Sequence, residues 1–298
     1  MRILLTGAKG QVGWELSHLG GKHGLEILAL DRSELDITHP VSVNKQVNRA
    51  GVSLVVNAAG YTAVDQAESE PEIAFAVNRD GPASLASACR KAGIPLVHIS
   101  TDYVFDGQKE GPYLVTDPVS PLSVYGKSKA EGEAEVRKYL KEHFILRTGW
   151  VYGVHGDNFV KTMLRLGRER EAVQVVSDQY GCPTYAADLA ETILRIAAQF
   201  LSDGQVQWGT YHYCGRGVTT WHGFAEEIFR LASEYESLEV KSVEPISTAE
   251  YPTLAQRPVN STLDCSLLEK TFGIHPQPWA ESLARMLEVL FLVEKAKP

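Results

Sequence analysis

Long apolar runs and clusters of basic residues are both missing from this sequence of 298 residues. The N-terminal segment MRILLTGAKG reaches a glycine after three apolar residues, which is too short for a signal sequence, and no later run approaches the length of a membrane span. The formal net charge of −8 argues against nucleic acid or a membrane surface as the main partner. We therefore expect a cytoplasmic protein in which any anionic ligand is bound at a local site.

Cysteine is also scarce, and the sequence contains no metal-binding motif. The four cysteines, Cys89, Cys182, Cys214 and Cys265, are far apart and show no C-x-x-C spacing, which predicts reduced structural thiols. The nine histidines do not form a motif such as H-E-x-x-H, so no metal site is predicted. The chain is long enough for one large domain, or for two domains that share an interface.

Short apolar runs alternate with longer amphipathic stretches through the first half of the chain. Because these runs are continuous rather than alternating, they predict buried strands, namely RILLTG, LEILALD, LVVNAAG, PLVHIS and FILRTGWVYG. The helices predicted between them are Gln11–Gly20, Pro40–Gly51, Pro71–Ala92 and Ser123–Glu142. This repetition predicts an α/β fold with a doubly wound parallel sheet.

The regular alternation ends near residue 150, which suggests a second structural unit. We expect residues 1–150 to form a dinucleotide-binding domain, and residues 187–214, with a helix at Ala187–Phe200 and the strand TYHYCG, to return to it. Residues 151–186 and 215–298 are expected to form a smaller C-terminal substrate-binding lobe. Such a lobe would lie over the carboxyl ends of the strands, where open α/β sheets bind their ligands.

The segment GAKGQVG, from Gly7 to Gly13, follows the first predicted strand and opens the first predicted helix. Glycines at this place allow a tight turn and a close approach of the backbone to a pyrophosphate at the helix N-terminus. Asp31 follows the second strand and could accept a hydrogen bond from a ribose hydroxyl, while the adjacent Arg32 could meet a 2′-phosphate. Together these features predict a bound dinucleotide.

Tyr125 and Lys129 are four residues apart in a predicted helix, so both side chains lie on one face. A phenol is a weak acid at neutral pH, and a nearby ammonium favours its ionised form. Thr101 ends the fourth strand and could donate its hydroxyl to the same substrate oxygen. The neighbouring Ser100 is the alternative candidate for this role.

The glycine spacing G-x-x-G-x-x-G, the NAAG after a later strand and the Y-x-x-x-K further on are similar to those of the short-chain dehydrogenase/reductase superfamily, whose extended branch fits the chain length. Within that branch the chain resembles the dTDP-4-dehydrorhamnose reductase family. The segments that carry this resemblance run in the family's order from residue 7 to residue 264: GQVGWEL, NAAGYTAVDQAESEP, STDYVFDG, SPLSVYGKSKAEGE, RTGWVYG, NFVKTML, SDQYGCPT and RPVNSTLD.

The resemblance implies a Rossmann fold and an enzyme that uses NADPH or NADH to reduce the C4 ketone of dTDP-4-dehydro-β-L-rhamnose, the last step of dTDP-L-rhamnose biosynthesis. It implies Thr101, Tyr125 and Lys129 as the catalytic set. The substrate contacts that it implies are Thr101, Asp102, Trp150 and Arg257. The cofactor contacts, in addition to Tyr125 and Lys129, are Gly7, Gly10, Gln11, Val12, Asp31, Arg32, Asp36, Ile37, Ala59, Gly60, Tyr61 and Thr62.

Some members of this family are linked to Mg²⁺ in a dimer contact that uses an acidic residue of the GWEL segment. Glu15 matches that residue, but YAADLA and RMLEVLFLV differ from the segments expected to supply the other carboxylates, so no Mg²⁺ is assigned. A monomer and a homodimer both remain open. Two alternatives to the reductase also remain open. The first is a nucleotide-sugar epimerase or dehydratase, and the second is a non-catalytic relative such as the regulatory subunit of methionine adenosyltransferase.

Overall fold

A computed structural model describes residues 2–203 and 206–295, so residue 1, residues 204–205 and residues 296–298 of the predicted domains lie outside the described residues. The strands are β1 Arg2–Thr6, β2 Glu26–Leu30, β3 Val52–Asn57, β4 Leu96–Thr101, β5 His143–Thr148, β6 Val151–Tyr152, β7 Ala172–Val176, β8 Tyr180–Gly181, β9 Thr184–Tyr185, β10 Gly209–His212, β11 Thr219–Thr220 and β12 Ser242–Ile246. The α-helices are α1 Gln11–Leu19, α2 Pro40–Val47, α3 Val64–Ser69, α4 Pro71–Phe75, α5 Gly81–Ala92, α6 Val124–Tyr139, α7 Phe159–Glu169, α8 Ala186–Asp203, α9 Trp221–Ala232, α10 Ser266–Phe272 and α11 Trp279–Lys295.

Six of these strands form one parallel sheet in the order β10-β5-β4-β3-β1-β2. Helices α1 and α8 pack together on one face of this sheet, and α2, α5 and α6 pack on the other. The chain leaves β1 for β2 on one side and then crosses to β3 on the other, so the winding reverses between β1 and β3. The predicted doubly wound α/β fold is confirmed, and ligands of such sheets bind where the winding reverses.

A second core lies outside the large sheet. It is formed by residues of α7, α9 and α11 together with β7, which pairs with β12. The helix α10 belongs instead to the large sheet, because Leu268 and Ile274 are buried in the same core as β1 and β3, and Phe272 packs edge-on against Phe144 of β5.

The predicted helix Pro71–Ala92 contains a wide π-turn, Ala76–Asp80, between α4 and α5. Pro82 has no N–H to donate to the carbonyl oxygen of Asn78, one helical turn earlier, so regular α-helical bonding is interrupted there. The freed carbonyl lies against α6, where a Cβ on Gly132 would overlap it. The π-turn thus brings Asn78 to the ligand-binding edge of the sheet.

The segment FILRTGWVYG was predicted as one strand but forms two, β5 and β6. Trp150 lies between them with a φ of 50°, a left-handed conformation that few side chains adopt. This residue turns the chain out of the large sheet, and β6 then pairs with β9.

All four cysteines are free, and three of them meet in the folded chain. The Sγ atoms of Cys214 and Cys265 are 3.7 Å apart, and Cys182 belongs to the same buried cluster. Within residues 2–203 and 206–295, no helix has the length and apolar character needed to cross a membrane.

Candidate active site

An open cleft of about 690 Å³ lies where the winding of the sheet reverses. Of the predicted cofactor residues, those that line the cleft are Gly7, Gly10, Asp31, Arg32, Asp36, Ile37, Ala59, Gly60 and Tyr61. It is also lined by residues that the sequence did not single out, Lys9, Ser33, Leu35, Ala58 and Val77. Three further predicted residues lie elsewhere: Gln11 bonds the backbone of Val151, Val12 packs on the core, and Thr62 is exposed beyond β3.

Two glycines hold the loop after β1 in its conformation. Gly7 has a φ of 74°, and a Cβ on it would lie 2.5 Å from the amide nitrogen of Ala59, because the loops after β1 and β3 touch. A Cβ on Gly13 would overlap the carbonyl oxygen of Gly7. Among the described residues, no side chain caps α1 at Gly10, so the first-turn N–H groups suit a phosphate.

Asp31 is fixed by its own turn and by a lysine from the glycine loop. Its Oδ1 accepts hydrogen bonds from the amide and the hydroxyl of Ser33, at 2.7 and 2.5 Å. Its Oδ2 pairs with the ammonium of Lys9. These bonds, that from Lys9 foremost, hold the pKa of Asp31 well below its usual range. The acceptor predicted for the ribose is therefore paired with Lys9, while the neighbouring Arg32 pairs with Asp36 at 3.5 Å.

The loop after β3 is held by Asn78. Its side chain accepts a hydrogen bond from the amide of Tyr61 at 2.8 Å and donates to the carbonyl of Tyr61 at 3.0 Å and to the hydroxyl of Ser128 at 3.0 Å. Asn78 thus ties the cofactor loop to α6, the helix that carries Tyr125 and Lys129. In the sequence it is one polar residue inside a predicted helix, and only Pro82 four residues later hints at the wide turn.

The structure brings Thr101, Tyr125 and Lys129 together at the carboxyl end of β4. All three side chains are buried. The Nζ of Lys129 donates to the carbonyl of Ile99 at 2.6 Å, and a Cβ on Gly60 would lie 3.9 Å from it. Lys129 therefore lies between the end of β4 and the cofactor loop.

Burial controls the acidity of this set. It raises the pKa of Tyr125, and the carboxylate of Asp102 adds to the rise, so the phenol is protonated at neutral pH. Burial also lowers the pKa of Lys129 to about 8, against the opposing effect of Glu133. The sequence argument that the ammonium makes the phenol more acidic is thus outweighed by burial here, and the resulting neutral phenol is the form that can donate a proton.

Ser100 is occupied by a different partner, which leaves Thr101 as the hydroxyl beside Tyr125. The Oγ of Ser100 donates to Glu133 at 2.6 Å, on the face of the sheet that packs against α6. The same carboxylate accepts two hydrogen bonds from Arg147, at 2.8 and 2.7 Å.

Asp102 and Trp150 are the next two predicted substrate residues, at the ends of β4 and β5. The Oδ1 of Asp102 accepts from Thr101 at 2.8 Å, whereas its buried Oδ2 has no hydrogen-bond partner among the described residues. Burial raises the pKa of Asp102 to about 6. The indole of Trp150 donates to Ser261 at 3.0 Å and stacks on Trp221, with ring centroids 3.5 Å apart. The Oδ2 lies against Gly149, where an added Cβ would be 2.2 Å from it, and one face of the Trp150 ring is covered.

Arg257 is already engaged by protein groups. Its guanidinium donates to Asp65 of α3 at 2.6 Å and to the hydroxyl of Tyr103 at 3.1 Å. The ring of Tyr103 packs edge-on against that of Tyr125, with centroids 5.7 Å apart. Arg257 therefore lies one aromatic ring away from the catalytic phenol. Asp65 and Tyr103 carry no signal in the sequence that would have singled them out.

Glu15 lies close to Asp188 of YAADLA, and burial raises the pKa of Glu15. Asp188 is neutralised by Arg285, which donates to its two carboxylate oxygens at 2.8 and 2.7 Å. Within the part of the chain that the structure describes, no group of three or more His, Cys, Asp and Glu side chains could hold a metal ion. The positive charge that pairs with Asp188 is the guanidinium of Arg285.

The family model described as the RmlD substrate binding domain matches residues 1–291. A dTDP-4-dehydrorhamnose reductase of Sinorhizobium fredii is 45% identical over 296 residues, which cover 99% of each chain. The chain belongs to the dTDP-4-dehydrorhamnose reductase family. The family resemblance of the sequence motifs is thereby confirmed.

Solved structures of this family share the whole fold. A dTDP-4-dehydrorhamnose reductase from Clostridium acetobutylicum is 42% identical, with a TM-score of 0.90 and coverage of 97% of this chain and 99% of the other. One from Bacillus anthracis, solved in complex with NADP, is 38% identical with a TM-score of 0.89 and the same coverage.

Proposed function

We propose that this chain catalyses the NAD(P)H-dependent reduction of the C4 ketone of dTDP-4-dehydro-β-L-rhamnose to dTDP-β-L-rhamnose, the last step of dTDP-L-rhamnose biosynthesis. The observation that carries this proposal is the buried set of Thr101, Tyr125 and Lys129, of which Lys129 lies beside Gly60 in the wall of a dinucleotide-sized cleft, in a chain of this reductase family.

The cleft fits a dinucleotide. Gly7 leaves room where two loops touch, the uncapped first turn of α1 suits the pyrophosphate, and Lys9, Asp31 and Arg32 surround the place of the adenosine ribose. A bound nicotinamide would supply the hydride. Lys129 beside Gly60 is positioned to bind the nicotinamide ribose as well as to act on Tyr125.

The residues of this chain supply the proton and hold the oxygen. The neutral phenol of Tyr125 donates its proton to the alkoxide oxygen that develops at C4. The hydroxyl of Thr101, which donates to Asp102 in the structure, turns to donate a hydrogen bond to the same alkoxide oxygen. The ammonium of Lys129 stabilises the phenolate that remains. Asp102 accepts from a sugar hydroxyl, and Trp150 and Arg257 complete the substrate site, with Arg257 on the diphosphate.

The division into a dinucleotide-binding domain and a substrate-binding lobe is also our proposal. The separate core of α7, α9 and α11 supports a distinct lobe, and Gln11, Asp65 and Arg257 are among the residues that bond across the two units. The packing of α10 on the large sheet supports including that helix in the dinucleotide-binding domain.

Incubation of the purified protein with NADPH tests the function against both alternatives. We expect NADPH to be consumed only when the keto-sugar nucleotide is added. An epimerase or dehydratase would convert a nucleotide sugar without net use of NADPH, and a non-catalytic relative would bind the dinucleotide and consume nothing. A dehydratase is disfavoured because a tyrosine, Tyr103, follows Asp102 where a second carboxylate would be needed.

A further inference from the structure

Glu133 is a fully buried carboxylate that the proposed mechanism does not use. It lies on α6, one helical turn after Lys129, and its side chain is 0% exposed. Arg147 of β5 binds both of its oxygens, and Ser100 of β4 donates to Oε1 at 2.6 Å. Arg137, on the next turn of α6, adds a third donor at 3.2 Å. One carboxylate thus links the catalytic helix to two neighbouring strands.

The residues that Glu133 binds are adjacent to the catalytic edge. Ser100 precedes Thr101, Arg147 precedes Thr148, and these two pairs face each other in the register of β4 and β5. Because Tyr125, Lys129 and Glu133 recur at four-residue intervals, they share one face of α6. A change in the hydrogen bonds between Glu133 and the two strands would move α6, and with it Tyr125, relative to Thr101.

Glu133 also supplies negative charge next to the Lys129 ammonium. On the strand side His98 of β4 also interacts with the ammonium, and burial keeps this histidine neutral by lowering its pKa well below the usual value. Arg147 and Arg137 bind the Glu133 carboxylate and offset part of its charge. From the loop after β3 the neighbour is Gly60, which has no side chain. Among the described residues, Glu133 is the group that raises the pKa of Lys129 against the lowering caused by burial.

We propose that Glu133 is a positioning residue of the reductase: its carboxylate holds α6 on β4 and β5, so that Tyr125 and Lys129 keep their places, and it puts a negative charge one helical turn from the Lys129 ammonium. Burying a carboxylate costs desolvation free energy, so even a fully paired buried carboxylate adds little to the stability of the fold. A role in the site therefore explains the position of Glu133 better than stability does. This inference rests on the proposed role of Lys129.

The test compares the pH dependence of kcat in three variants. Lys129 must be protonated to stabilise the phenolate, so kcat of the wild type should fall as pH rises through about 8. Glu133→Gln keeps the shape of the side chain and removes its charge, so its fall should begin about one pH unit lower. Glu133→Asp keeps the charge, so the midpoint should stay near that of the wild type while kcat drops about tenfold from the lost geometry. Glu131→Gln, the same change on the exposed face of α6, is the matched control and should behave as wild type.

Thermal melting and NADPH titration of each variant separate folding from catalysis. A folded Glu133→Gln protein with the wild-type midpoint would overturn the electrostatic part of the proposal. If that variant does not fold, Glu133→Asp decides, because wild-type kcat in this variant would overturn the positioning role. The variant Lys129→Met separates a failure of the proposed function from a failure of the inference about Glu133. If Lys129→Met retained wild-type kcat, the proposed catalytic set would be wrong. If Lys129→Met lost kcat while the Glu133 variants were unaffected, only the inference about Glu133 would be refuted.

Discussion

The phenol of Tyr125 has the properties of a proton donor rather than of a base. It is buried, and burial raises its pKa, so it is protonated at neutral pH. A raised pKa alone would make proton release slow. In the proposed mechanism the ammonium of Lys129, on the same helix face, offsets this by stabilising the phenolate as the proton leaves.

The variant Tyr125→Phe removes the donor and leaves the packing of the ring. We expect kcat to fall by roughly 10²-fold or more, with little change in the affinity for NADPH. Steady-state kinetics and a fluorescence titration of the cofactor measure the two effects. Tyr139→Phe, at the end of the same helix, is the control, and near-normal turnover of Tyr125→Phe would exclude this residue as the acid.

We expect cofactor preference to depend on Lys9, Asp31 and Arg32, which line the cleft where the adenosine ribose is proposed to bind. Asp31 repels a 2′-phosphate, whereas Arg32 and Lys9 attract one, so we expect both NADPH and NADH to serve. Asp31→Ala should shift the preference toward NADPH, and Lys9→Ala should shift it toward NADH, each by several-fold in kcat/KM. Equal effects of Asp31→Ala on the two cofactors would mean that this carboxylate does not discriminate at the ribose.

At the scale of elements, the loop after β1 and the helix α1 form one unit because glycines allow them to touch. Gly13→Ala would place a methyl group against the carbonyl of Gly7. We expect this variant to bind NADPH at least tenfold more weakly and to lose about 1–3 kcal/mol of stability. Gly21→Ala, which has no heavy atom within 4 Å of the added Cβ, is the control. Wild-type cofactor affinity in Gly13→Ala would show that the loop is not held by this contact.

Elements that form from local sequence could be predicted, whereas features that depend on packing between elements could not. The parallel strands and the glycine loop follow from local apolar runs and turn residues, so their order and the place of the cofactor cleft were predictable. The π-turn at Asn78 and the turn at Trp150 were not, since each depends on packing between distant segments. The choice of Thr101 over Ser100 likewise depends on Glu133, which reaches β4 only after α6 has packed on the sheet.

At the scale of the whole molecule, Arg257 and Asp65 join the two proposed units across the site. Ala255 donates its amide to one oxygen of Asp65 at 3.1 Å, and Arg257 binds the other. Asp65 therefore holds the segment that carries Arg257 and orients the guanidinium next to Tyr103. No local pattern in the sequence predicts this pair, because its members are 192 residues apart.

Arg257→Ala tests the assignment of the diphosphate site. Loss of a charge-assisted contact worth about 1.5–3 kcal/mol should raise KM for the nucleotide sugar about tenfold to a hundredfold, with a smaller change in kcat and little change for NADPH. Lys241→Ala, which removes an exposed ion pair of the same lobe, is the control. An unchanged KM for the sugar, or a loss confined to NADPH, would contradict the assignment.

The central claim is that hydride passes from the cofactor to C4 of the sugar and remains there. The most direct measurement is to incubate the enzyme with dTDP-4-dehydro-β-L-rhamnose and a nicotinamide cofactor that carries deuterium at its transferable position, and to analyse the product by mass spectrometry and NMR. We predict one deuterium per sugar, at C4, with one cofactor oxidised per product. A product without deuterium, conversion without net oxidation of the cofactor, or no turnover of this substrate would contradict the proposed function.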